Sequence, residues 1–497
     1  MAIDRMGTRP LCYTATGDKF VFGSSLDAIS ACPAMPTEID PQALYDYVHF
    51  HMVPGPRTIH VGRHRILPGT AVIWRNGLLQ ARPYWQMRFA ENRKQPWPEL
   101  KENFIALLRK SVRETAADSI VGTFLSGGTD SSTVAGLLAE TTGQRARTFS
   151  IGFAAEGYDE MDYARLAARH FDTQHHEYYV TPDDVVGAIS QVAAVHDQPF
   201  GNASAIPTFY CAKLARDNDI ETLLGGDGGD ELFGGNERYA KQYLYSLYSD
   251  LPVTLRKRVI EPIAFLPPPL GIFGKAQRYM RNASQAMPAR YDNYNLLERL
   301  GAANVFTADF LATVDAAEPQ RLVARAYGQA HAKSLINRML ALDLQFTLAD
   351  NDLPKVTRSC ELAGVAVRFP LLDDALVEFS AQLPPEYKLR GTKLRYFFKE
   401  ALRGFLPDEI IKKKKHGFGL PFGLWLEKHR SLKQVAFDSL TDLKQRRIVR
   451  GQFIDELTSS YVSSHADYYG TMVWVLLMLE QWFRQHEKVR MPERIPA

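Results

Sequence analysis

Residues 119–140 constrain the possible folds of this 497-residue chain most, because their sequence predicts a strand, a glycine-rich turn and a helix in direct succession. Residues 119–125 are uncharged, apolar and β-branched, which predicts a buried strand. Residues 126–128 (Ser-Gly-Gly) interrupt it, and residues 131–133 (Ser-Ser-Thr) are expected to cap a helix over residues 134–140. This order places unpaired backbone N–H groups and the positive end of a helix dipole around a phosphate group.

The glycine-rich turn contains more polar and acidic side chains than a simple strand-to-helix turn requires. A simple turn needs one glycine but no serine and aspartate at fixed offsets, and a Walker A loop needs a lysine that is absent here. Residues 126–131, Ser-Gly-Gly-Thr-Asp-Ser, resemble the pyrophosphate loop of the ATP pyrophosphatases. Those enzymes cleave ATP between the α and β phosphates and activate a substrate by adenylation. The resemblance implies ATP contacts by Leu125, Ser126, Gly127, Gly128, Asp130, Ser131 and Ser132.

A second glycine-rich segment, residues 225–235, surrounds three carboxylates with six glycines. So many glycines are costly unless the backbone must approach a ligand closely, and flexible linkers are rarely this acidic. The segment resembles Ser-Gly-Asp-Gly-Ala-Asp-Glu-Leu-Phe-Gly-Gly of the asparagine synthetases, with Gly225 in place of serine. The resemblance implies nucleotide contacts by Gly225 and Gly226. It also implies that Asp227 orients or deprotonates the attacking amine.

The same resemblance implies a metal site and a contact to the nucleotide base. Asp130 and Asp230 are the expected Mg²⁺ carboxylates, since Mg²⁺ bound with phosphates uses one or two protein carboxylates. Residues 149–153 resemble the family's Phe-Ser-Ile-Gly-Phe, in which Ile151 is expected to pack near the base through backbone contacts. ATP and Mg²⁺ are therefore the expected cofactors.

Residues 411–421 contain four consecutive lysines followed by His-Gly-Phe-Gly-Leu-Pro. Composition alone predicts a solvated basic patch, but the segment resembles the family's Arg-Pro-Lys-Lys-Gly-Phe-Gly-Val-Pro. Lys415 takes the place of the lysine that contacts phosphate and intermediate, so it joins Asp227 as an expected catalytic residue. The three lysines before it, residues 412–414, are expected to be mostly solvated.

Departures from the family sequence fall on the expected acceptor side. Gln198 and Asn202 stand where the family has carboxylates, and Thr357 replaces an aspartate in residues 355–358, Lys-Val-Thr-Arg. These differences lie where synthetases of this type shape the acceptor site. They keep carboxylates other than aspartate open as the substrate.

Strands and helices are expected to alternate through the larger part of the chain, which predicts a parallel sheet with helices on both faces. The expected strands are residues 119–125, 145–151, 175–180 and 221–224, and the expected helices are residues 134–140, 160–171 and 205–218. The predicted fold is α/β, a doubly wound parallel sheet, which the resemblance assigns to the adenine-nucleotide α-hydrolase (ATP pyrophosphatase) type. It would occupy residues 100–485, after a polar linker at residues 87–99 and before a tail at residues 486–497.

Residues 1–86 resemble the later half of the asparagine synthetase glutaminase domain. The predicted elements are strands at 20–23 and 71–74, a helix at 41–51 and a hairpin turn at 76–77. The family's nucleophile is a cysteine directly after the initiator methionine, with its free amine as base. Position 2 is alanine here, and Cys12 has no α-amine. We expect a small α+β remnant of an N-terminal-nucleophile glutaminase domain, truncated and without glutaminase activity. A role as scaffold or as docking surface for a separate glutaminase, and a shortened start site, are left open.

Composition narrows the classes of function. A net charge of +3 gives no support for nucleic acid binding. The longest apolar run, residues 472–479, is too short to cross a bilayer, and the N-terminus lacks the apolar stretch of a signal peptide. Four cysteines without paired spacing fit a reducing compartment rather than a zinc site or a disulfide framework. We expect a cytoplasmic enzyme with no nucleic acid or membrane partner.

The expected reaction resembles that of asparagine synthetase. Mg·ATP adenylates a carboxylate, pyrophosphate leaves, and ammonia or an amine displaces AMP. The partners are thus a small-molecule carboxylate and an amine or ammonia, and a separate glutaminase subunit and a homodimer are left open.

Two enzyme alternatives share this machinery, and a third alternative is not an enzyme. One is amidation of another carboxylate, such as a sugar acid in surface polysaccharide synthesis. Another is closure of an amide within one molecule, as in β-lactam synthetases and lasso-peptide cyclases. The third is a subunit that binds ATP without turnover, and the retention of Asp130, Asp227, Asp230 and Lys415 argues against it.

Overall fold

The computed structural model of the chain describes residues 1–17, 19–32, 35, 37–91, 95–117, 119–264, 272–414, 419–461 and 466–486. Among these residues, no helix combines the length and the apolar character needed to cross a membrane. The expected tail lies outside the described residues from residue 487 onward.

The N-terminal part is a small α+β unit of five strands and two helices among its described residues. Its elements are β1 Cys12–Thr16, β2 Lys19–Gly23, α1 Leu26–Ser30, α2 Pro41–Phe50, β3 Arg63–Arg65, β4 Thr70–Arg75 and β5 Leu78–Pro83. Strands pair antiparallel in the order β2-β1-β3, and β4 and β5 form a separate hairpin. Asn76 and Gly77 both have positive φ, 52° and 75°, as their sequence predicts for a two-residue hairpin turn.

The central sheet and its helices follow. Their order is α3 Trp97–Thr115, β6 Val121–Phe124, α4 Thr129–Thr142, β7 Arg147–Phe153, α5 Met161–His170, β8 Gln174–Val180, α6 Pro182–Val195, α7 Ala205–Arg216 and β9 Thr222–Leu224. A run of helices then precedes the last strand of this sheet: α8 Gly229–Phe233, α9 Glu237–Ser249, α10 Val253–Leu255, α11 Glu261–Ala264, α12 Ile272–Ser284, α13 Leu296–Leu300, α14 Ala302–Val305, α15 Ala308–Leu311, α16 Glu318–Gln329, α17 Leu335–Asp343, α18 Leu353–Ala363 and β10 Ala366–Arg368.

The remaining elements are helices and one two-stranded ribbon. They are α19 Asp374–Gln382, α20 Pro385–Lys388, β11 Leu389–Arg390, β12 Lys393–Leu394, α21 Tyr396–Ala401, α22 Asp408–Lys412, α23 Phe422–Lys428, α24 Arg430–Gln445, α25 Gly451–Glu456 and α26 Ala466–Gln485.

Five parallel strands form the central sheet in the order β10-β9-β6-β7-β8. From β6 the chain first adds β7 and β8 on one side, and then crosses over to add β9 and β10 on the other. This reversal is the doubly wound arrangement, so the predicted α/β fold class is confirmed. Ligands of such sheets bind outside the carboxyl ends of the strands where the winding reverses. Here that point lies between β6 and β9.

Helix α4 begins earlier than the sequence predicts. Gly128 is its N-cap and Thr129 its first residue, so Ser131 and Ser132 lie in the first turn and do not cap a helix from residue 134. The Ser131 hydroxyl is engaged by the preceding loop, because it accepts a hydrogen bond from Ser126 N–H. Gly128 has no side chain that could cap the first N–H groups of α4. These N–H groups are therefore free to bind a ligand.

The N-terminal part shares a hydrophobic core with the rest of the molecule. Tyr47 and Val48 of α2 are fully buried in a cluster that includes residues of α6, α7 and α26. The Tyr47 hydroxyl donates to Val475 O at 2.8 Å. The expected linker is also tied down where it is described, since Ala90 N–H donates to Ala381 O at 2.9 Å. The α2 helix is thus held in place by the larger part of the chain.

Candidate active site

The segments that follow β6 and β9 line one cavity of about 1070 Å³. We call residues 126–131 the first glycine loop and residues 225–235 the second glycine loop. They meet because β6 and β9 are parallel neighbours, whose carboxyl ends lie at one edge of the sheet. The expected site residues that line this cavity are Leu125, Ser126, Gly128, Asp130, Ser131, Ile151, Gly226, Asp227 and Asp230.

The first glycine loop closes on itself and presses against α5. Ser126 N–H donates to Ser131 Oγ at 3.1 Å, and the two hydroxyl oxygens lie 3.0 Å apart. Gly127 has a φ of 66°, and a Cβ there would overlap the backbone of Tyr163. Only glycine therefore fits this position. The result is a tight turn that leads directly into the N-terminus of α4.

Three expected nucleotide contacts, Gly127, Ser132 and Gly225, are not among the residues that line the cavity. Ser132 is fully buried, and its hydroxyl has no hydrogen-bond partner among the described residues. Gly225 N–H donates to Arg368 O at 2.9 Å, so it extends the pairing of the sheet. Ser132 and Gly225 are enclosed by the protein, and Gly127 packs against Tyr163 of α5.

The two glycine loops approach each other closely through Gly226 and Gly229. A Cβ on Gly226 would lie 3.0 Å from Ser131 N, and a Cβ on Gly229 would overlap the Asp130 carboxylate. Small residues in the second loop thus let the Asp130 side chain reach α8, where Asp230 lies. This approach explains why the second loop needs its glycines.

Arg395 contacts both expected metal ligands. Its Nη2 lies 2.6 Å from Asp130 Oδ2 and also contacts Asp230, while Nη1 donates to Thr129 Oγ1 at 2.7 Å. The side chain is only 6% exposed, and its Nε has no partner among the described residues. One guanidinium therefore spans two carboxylates that would repel each other without it.

Sequence reasoning missed Arg395. The residue precedes α21 with a φ of 53°, a left-handed conformation that non-glycine residues adopt rarely. Its segment, Gly-Thr-Lys-Leu-Arg at residues 391–395, contains three polar or charged residues and a glycine but none of the motifs described above. Only the fold shows that it reaches the first glycine loop.

Asp227 lines the main cavity together with two other charged residues, Asp352 and Lys355. Lys355 Nζ lies 2.8 Å from Asp352 Oδ1 and 4.0 Å from Asp227 Oδ1. Burial raises the pKa of Asp227 to about 6, although Lys355 opposes the shift. Burial also disfavours the charge of Lys355, but Asp352 and Asp227 outweigh it and hold the pKa of this lysine above its usual value. Asp227 can thus exchange a proton near neutral pH.

The lysine segment departs from the expectation at one position. Lys412 is 70% exposed, as expected, but the Lys413 side chain is only 7% exposed. Lys413 Nζ lies 3.1 Å from Glu160 Oε1 and 3.4 Å from Ser126 O. The predicted solvation of Lys413 is therefore wrong, because its ammonium contacts a carboxylate and the carbonyl groups of the first glycine loop. Lys415 lies outside the described residues.

The residues that depart from the family sequence are divided between two cavities. Asn202 lines the main cavity, and its Nδ2 donates to Asn351 Oδ1 at 2.9 Å. Gln198 and Thr357 line a second cavity of about 60 Å³, and the Thr357 hydroxyl donates to Leu353 O at 2.8 Å. Gln198 and Thr357 thus lie apart from Asn202, although Thr357 belongs to the same helix, α18, as the main-cavity residue Lys355.

The sequence matches the models of two protein families. Residues 103–484 match the family model described as asparagine synthase. The chain belongs to the asparagine synthase family. Residues 1–85 match a model described as a glutamine amidotransferase domain. Both matches confirm the resemblance found in the sequence, and membership makes the chain a carbon–nitrogen ligase of the ATP-dependent amidating kind.

Individual relatives support the same assignment over nearly the full chain. Asparagine synthetase [glutamine-hydrolyzing] 1 of Bacillus subtilis is 25% identical over 503 residues, covering 99% of this chain and 76% of the relative. A putative asparagine synthetase [glutamine-hydrolyzing] of Mycobacterium tuberculosis is 27% identical over 521 residues, covering 98% and 75%. Among solved structures, an NMN synthetase from Francisella tularensis is 15% identical and covers 55% of this chain and 99% of its own. Its TM-score of 0.23 is too low to add to the description of the fold.

Proposed function

We propose that the chain adenylates a small-molecule carboxylate with Mg·ATP and then transfers the acyl group to ammonia or an amine. The observation that carries this proposal is the meeting of the two glycine loops around Asp130 and Asp230, beside the N-terminus of α4. In this reaction the carboxylate attacks the α-phosphate, pyrophosphate leaves, and the amine displaces AMP to form the amide.

The first glycine loop and α4 would bind the phosphates of ATP. Ser126, Gly127, Gly128, Ser131 and Ser132 belong to this loop and the first turn of α4. A helix N-terminus favours anions, because its N–H groups are unpaired and the dipole is positive there. Leu125, Ile151, Gly225 and Gly226 would shape the base and ribose side, with Ile151 in contact through its backbone.

Asp130 and Asp230 would hold Mg²⁺. One guanidinium already contacts both carboxylates, so the pair is close enough to share one cation. Among the described residues, no group of three or more acidic, histidine or cysteine side chains is placed to hold a metal without phosphates. Two carboxylates suit Mg²⁺, which completes its shell with phosphate oxygens and water. When bound, the ion would neutralise negative charge on those phosphates.

Asp227 would orient or deprotonate the amine. A pKa raised to about 6 leaves this carboxylate ionised at neutral pH and able to accept a proton. Lys415 would stabilise charge on the α-phosphate and on the acyl oxygen, a role carried over from the family alone. When Mg²⁺ binds the two carboxylates, the Arg395 guanidinium would move away from them and contact the phosphates of ATP instead.

The acceptor carboxylate would lie near Lys355 and Asn202. Lys355 provides a cation and Asn202 an amide at the cavity wall. A cavity of about 1070 Å³ exceeds the roughly 300–1000 Å³ of most small-molecule sites, so it has room for a nucleotide and a second substrate. Aspartate or a related acid is the primary candidate. A larger carboxylate, such as a sugar acid, is the second candidate, because the cavity is large enough to hold it beside a nucleotide.

Ammonia, a substrate amine or a separate glutaminase subunit would supply the nitrogen. Cys12 is buried and its amine is part of a peptide bond, so this residue is not suited to be the glutaminase nucleophile. We place the enzyme in the cytoplasm, which suits its four free cysteines. The division into residues 1–86, 87–99, 100–485 and 486–497 and a homodimer stay predictions.

The experiment is incubation of the full chain with MgATP, ammonia and a panel of ¹⁸O-labelled carboxylates, followed by mass spectrometry. We expect AMP, pyrophosphate and an amide, with one ¹⁸O transferred from the carboxylate to AMP. The Asp130→Asn variant should lose most of this activity, since it removes a hard oxygen ligand. ADP and phosphate as the sole nucleotide products would contradict the proposal.

A further inference from the structure

We infer that Lys413 is a positioning residue that orients the backbone N–H groups of the first glycine loop toward the phosphates of the nucleotide. The inference rests on the proposed function of that loop and extends it to a residue outside both glycine loops.

Lys413 lies directly after α22, and its ammonium is enclosed by the loop and by α5. Its Nζ lies 3.4 Å from Ser126 O, 3.5 Å from Gly127 O and 3.1 Å from Glu160 Oε1. The Tyr163 ring completes the enclosure, with its centroid 4.5 Å from Nζ. Burial of an ammonium is costly unless polar partners surround it. Four partners of complementary charge or polarity satisfy that condition here.

These contacts control which way two peptide groups face. In a trans peptide the C=O and the following N–H point in opposite directions. Lys413 holds the carbonyls of Ser126 and Gly127 on its own side. The N–H groups of Gly127 and Gly128 are therefore turned to the opposite side of the loop. Neither N–H donates to another group among the described residues, so both are available to an anion.

The same region fixes the loop as a rigid unit. Glu160 is the N-cap residue of α5, and the tight packing of Gly127 on Tyr163 joins the loop to the first turn of that helix. Burial lowers the pKa of Lys413, while Glu160 opposes the shift and favours the charged ammonium. Lys413 thus ties the loop to α5 through one charge. Without that charge the two carbonyls would lose their shared donor, and the peptide groups would be free to turn.

The test measures pyrophosphate and AMP binding separately, by calorimetry on the full chain in MgCl₂. Lys413→Met removes the charge at similar length, Lys413→Arg retains it, and Lys412→Met is the control from the neighbouring exposed position. We expect Lys413→Met to weaken pyrophosphate binding about tenfold or more, the scale of a hydrogen bond to a charged group. AMP affinity should change by less than about twofold. Lys413→Arg should restore most of the loss, and Lys412→Met should change neither affinity.

The outcomes separate this inference from the proposed function. If the unmodified chain binds no pyrophosphate and forms no AMP, the proposed function itself fails. If it binds pyrophosphate and Lys413→Met binds it equally well, the positioning role is overturned while the function stands. Equal loss of both ligands together with a lower melting temperature would assign Lys413 to folding and would also overturn the inference. Lys413→Gln, which can still donate a hydrogen bond, carries the same comparison if the methionine variant does not fold.

Discussion

Arg395 Nη2 lies 2.6 Å from Asp130 Oδ2, and through the same nitrogen it also contacts Asp230. The guanidinium therefore occupies carboxylate oxygens that a divalent cation would need. If Asp130 and Asp230 hold Mg²⁺ as proposed, Arg395 and the ion would compete for these oxygens in the absence of nucleotide, and the phosphates of ATP would give the guanidinium a new partner.

Arg395→Met tests this competition. Removal of the guanidinium should tighten Mg²⁺ binding to the nucleotide-free chain, because two close carboxylates then lack a cation. The same variant should lower AMP formation by about 10²-fold, since one phosphate-stabilising donor is lost. Calorimetric titration with MgCl₂ and a nucleotide assay measure the two effects. Arg390→Met is the control, because Arg390 is exposed and donates to the Tyr396 hydroxyl instead. Unchanged Mg²⁺ affinity in Arg395→Met would contradict the competition.

Asp227→Asn should lower activity and raise stability. Burial raises the pKa of Asp227 from 3.8 to about 6, so the folded chain holds this proton more tightly than the unfolded chain. The stability that the tighter proton binding of Asp227 provides is fully present below pH 3.8, and it is lost as the pH rises through about 6. Asparagine carries no such penalty, so the melting temperature at pH 8 should rise by about 1–2 °C, and by less at pH 5.

The activity of the same variant reports on the proposed base. Amide formation should fall by about 10²- to 10⁴-fold, the scale of general base catalysis. In the unmodified chain the rate should increase with pH through about 6, as the Asp227 carboxyl ionises. Asp217→Asn, in an exposed pair with Lys213, should change neither the rate nor the melting temperature. A rate in Asp227→Asn equal to that of the unmodified chain would remove Asp227 from the mechanism.

Gly235→Ala should impair ATP use through steric overlap. A Cβ at residue 235 would overlap both the Asp230 carboxylate and the Arg395 side chain, so these groups must move apart. We expect AMP formation to drop by about 10²-fold, as for the loss of one charge-stabilising group. Gly187→Ala is the matched control, since its Cβ would meet no atom within 4 Å and the residue lies inside α6. That variant should keep full activity and gain about 0.5–1 kcal/mol of stability.

Cys12 should not act as a nucleophile toward glutamine. Burial raises the pKa of its thiol to about 12, so almost no thiolate is present at neutral pH. We expect no glutamate release from glutamine by this chain, and full retention of ammonia-dependent AMP formation in Cys12→Ala. Alkylation followed by mass spectrometry should label Cys32 first, because Cys12, Cys211 and Cys360 are buried and Cys32 is partly exposed. Glutamate release that disappears in Cys12→Ala would refute this prediction.

Local sequence predicted the scaffold of the site but not its charge partners. The strand before residue 126, both glycine loops and the α/β alternation are short-range patterns, and the structure places the loops at one edge of the sheet. Helix α4 begins five residues before the predicted start, because Gly128 is its N-cap and the Ser131 hydroxyl bonds the preceding loop instead of capping a helix. Strand β10 is missed because its three residues, Ala-Val-Arg, are not a continuous apolar run, whereas the equally short β9, Thr-Leu-Leu, is buried throughout.

The sequence by itself determined the chemistry of the two loops, because glycines, serines and aspartates at fixed offsets act within a few residues of one another. Only the tertiary structure decided how the charges are paired. Arg395 and Asp130 are 265 residues apart in sequence, and Lys413 and Ser126 are 287 apart. No local pattern encodes such pairs. Their partners follow from the winding of the sheet, which brings distant segments to one edge, and from burial, which requires each enclosed charge to find an opposite charge.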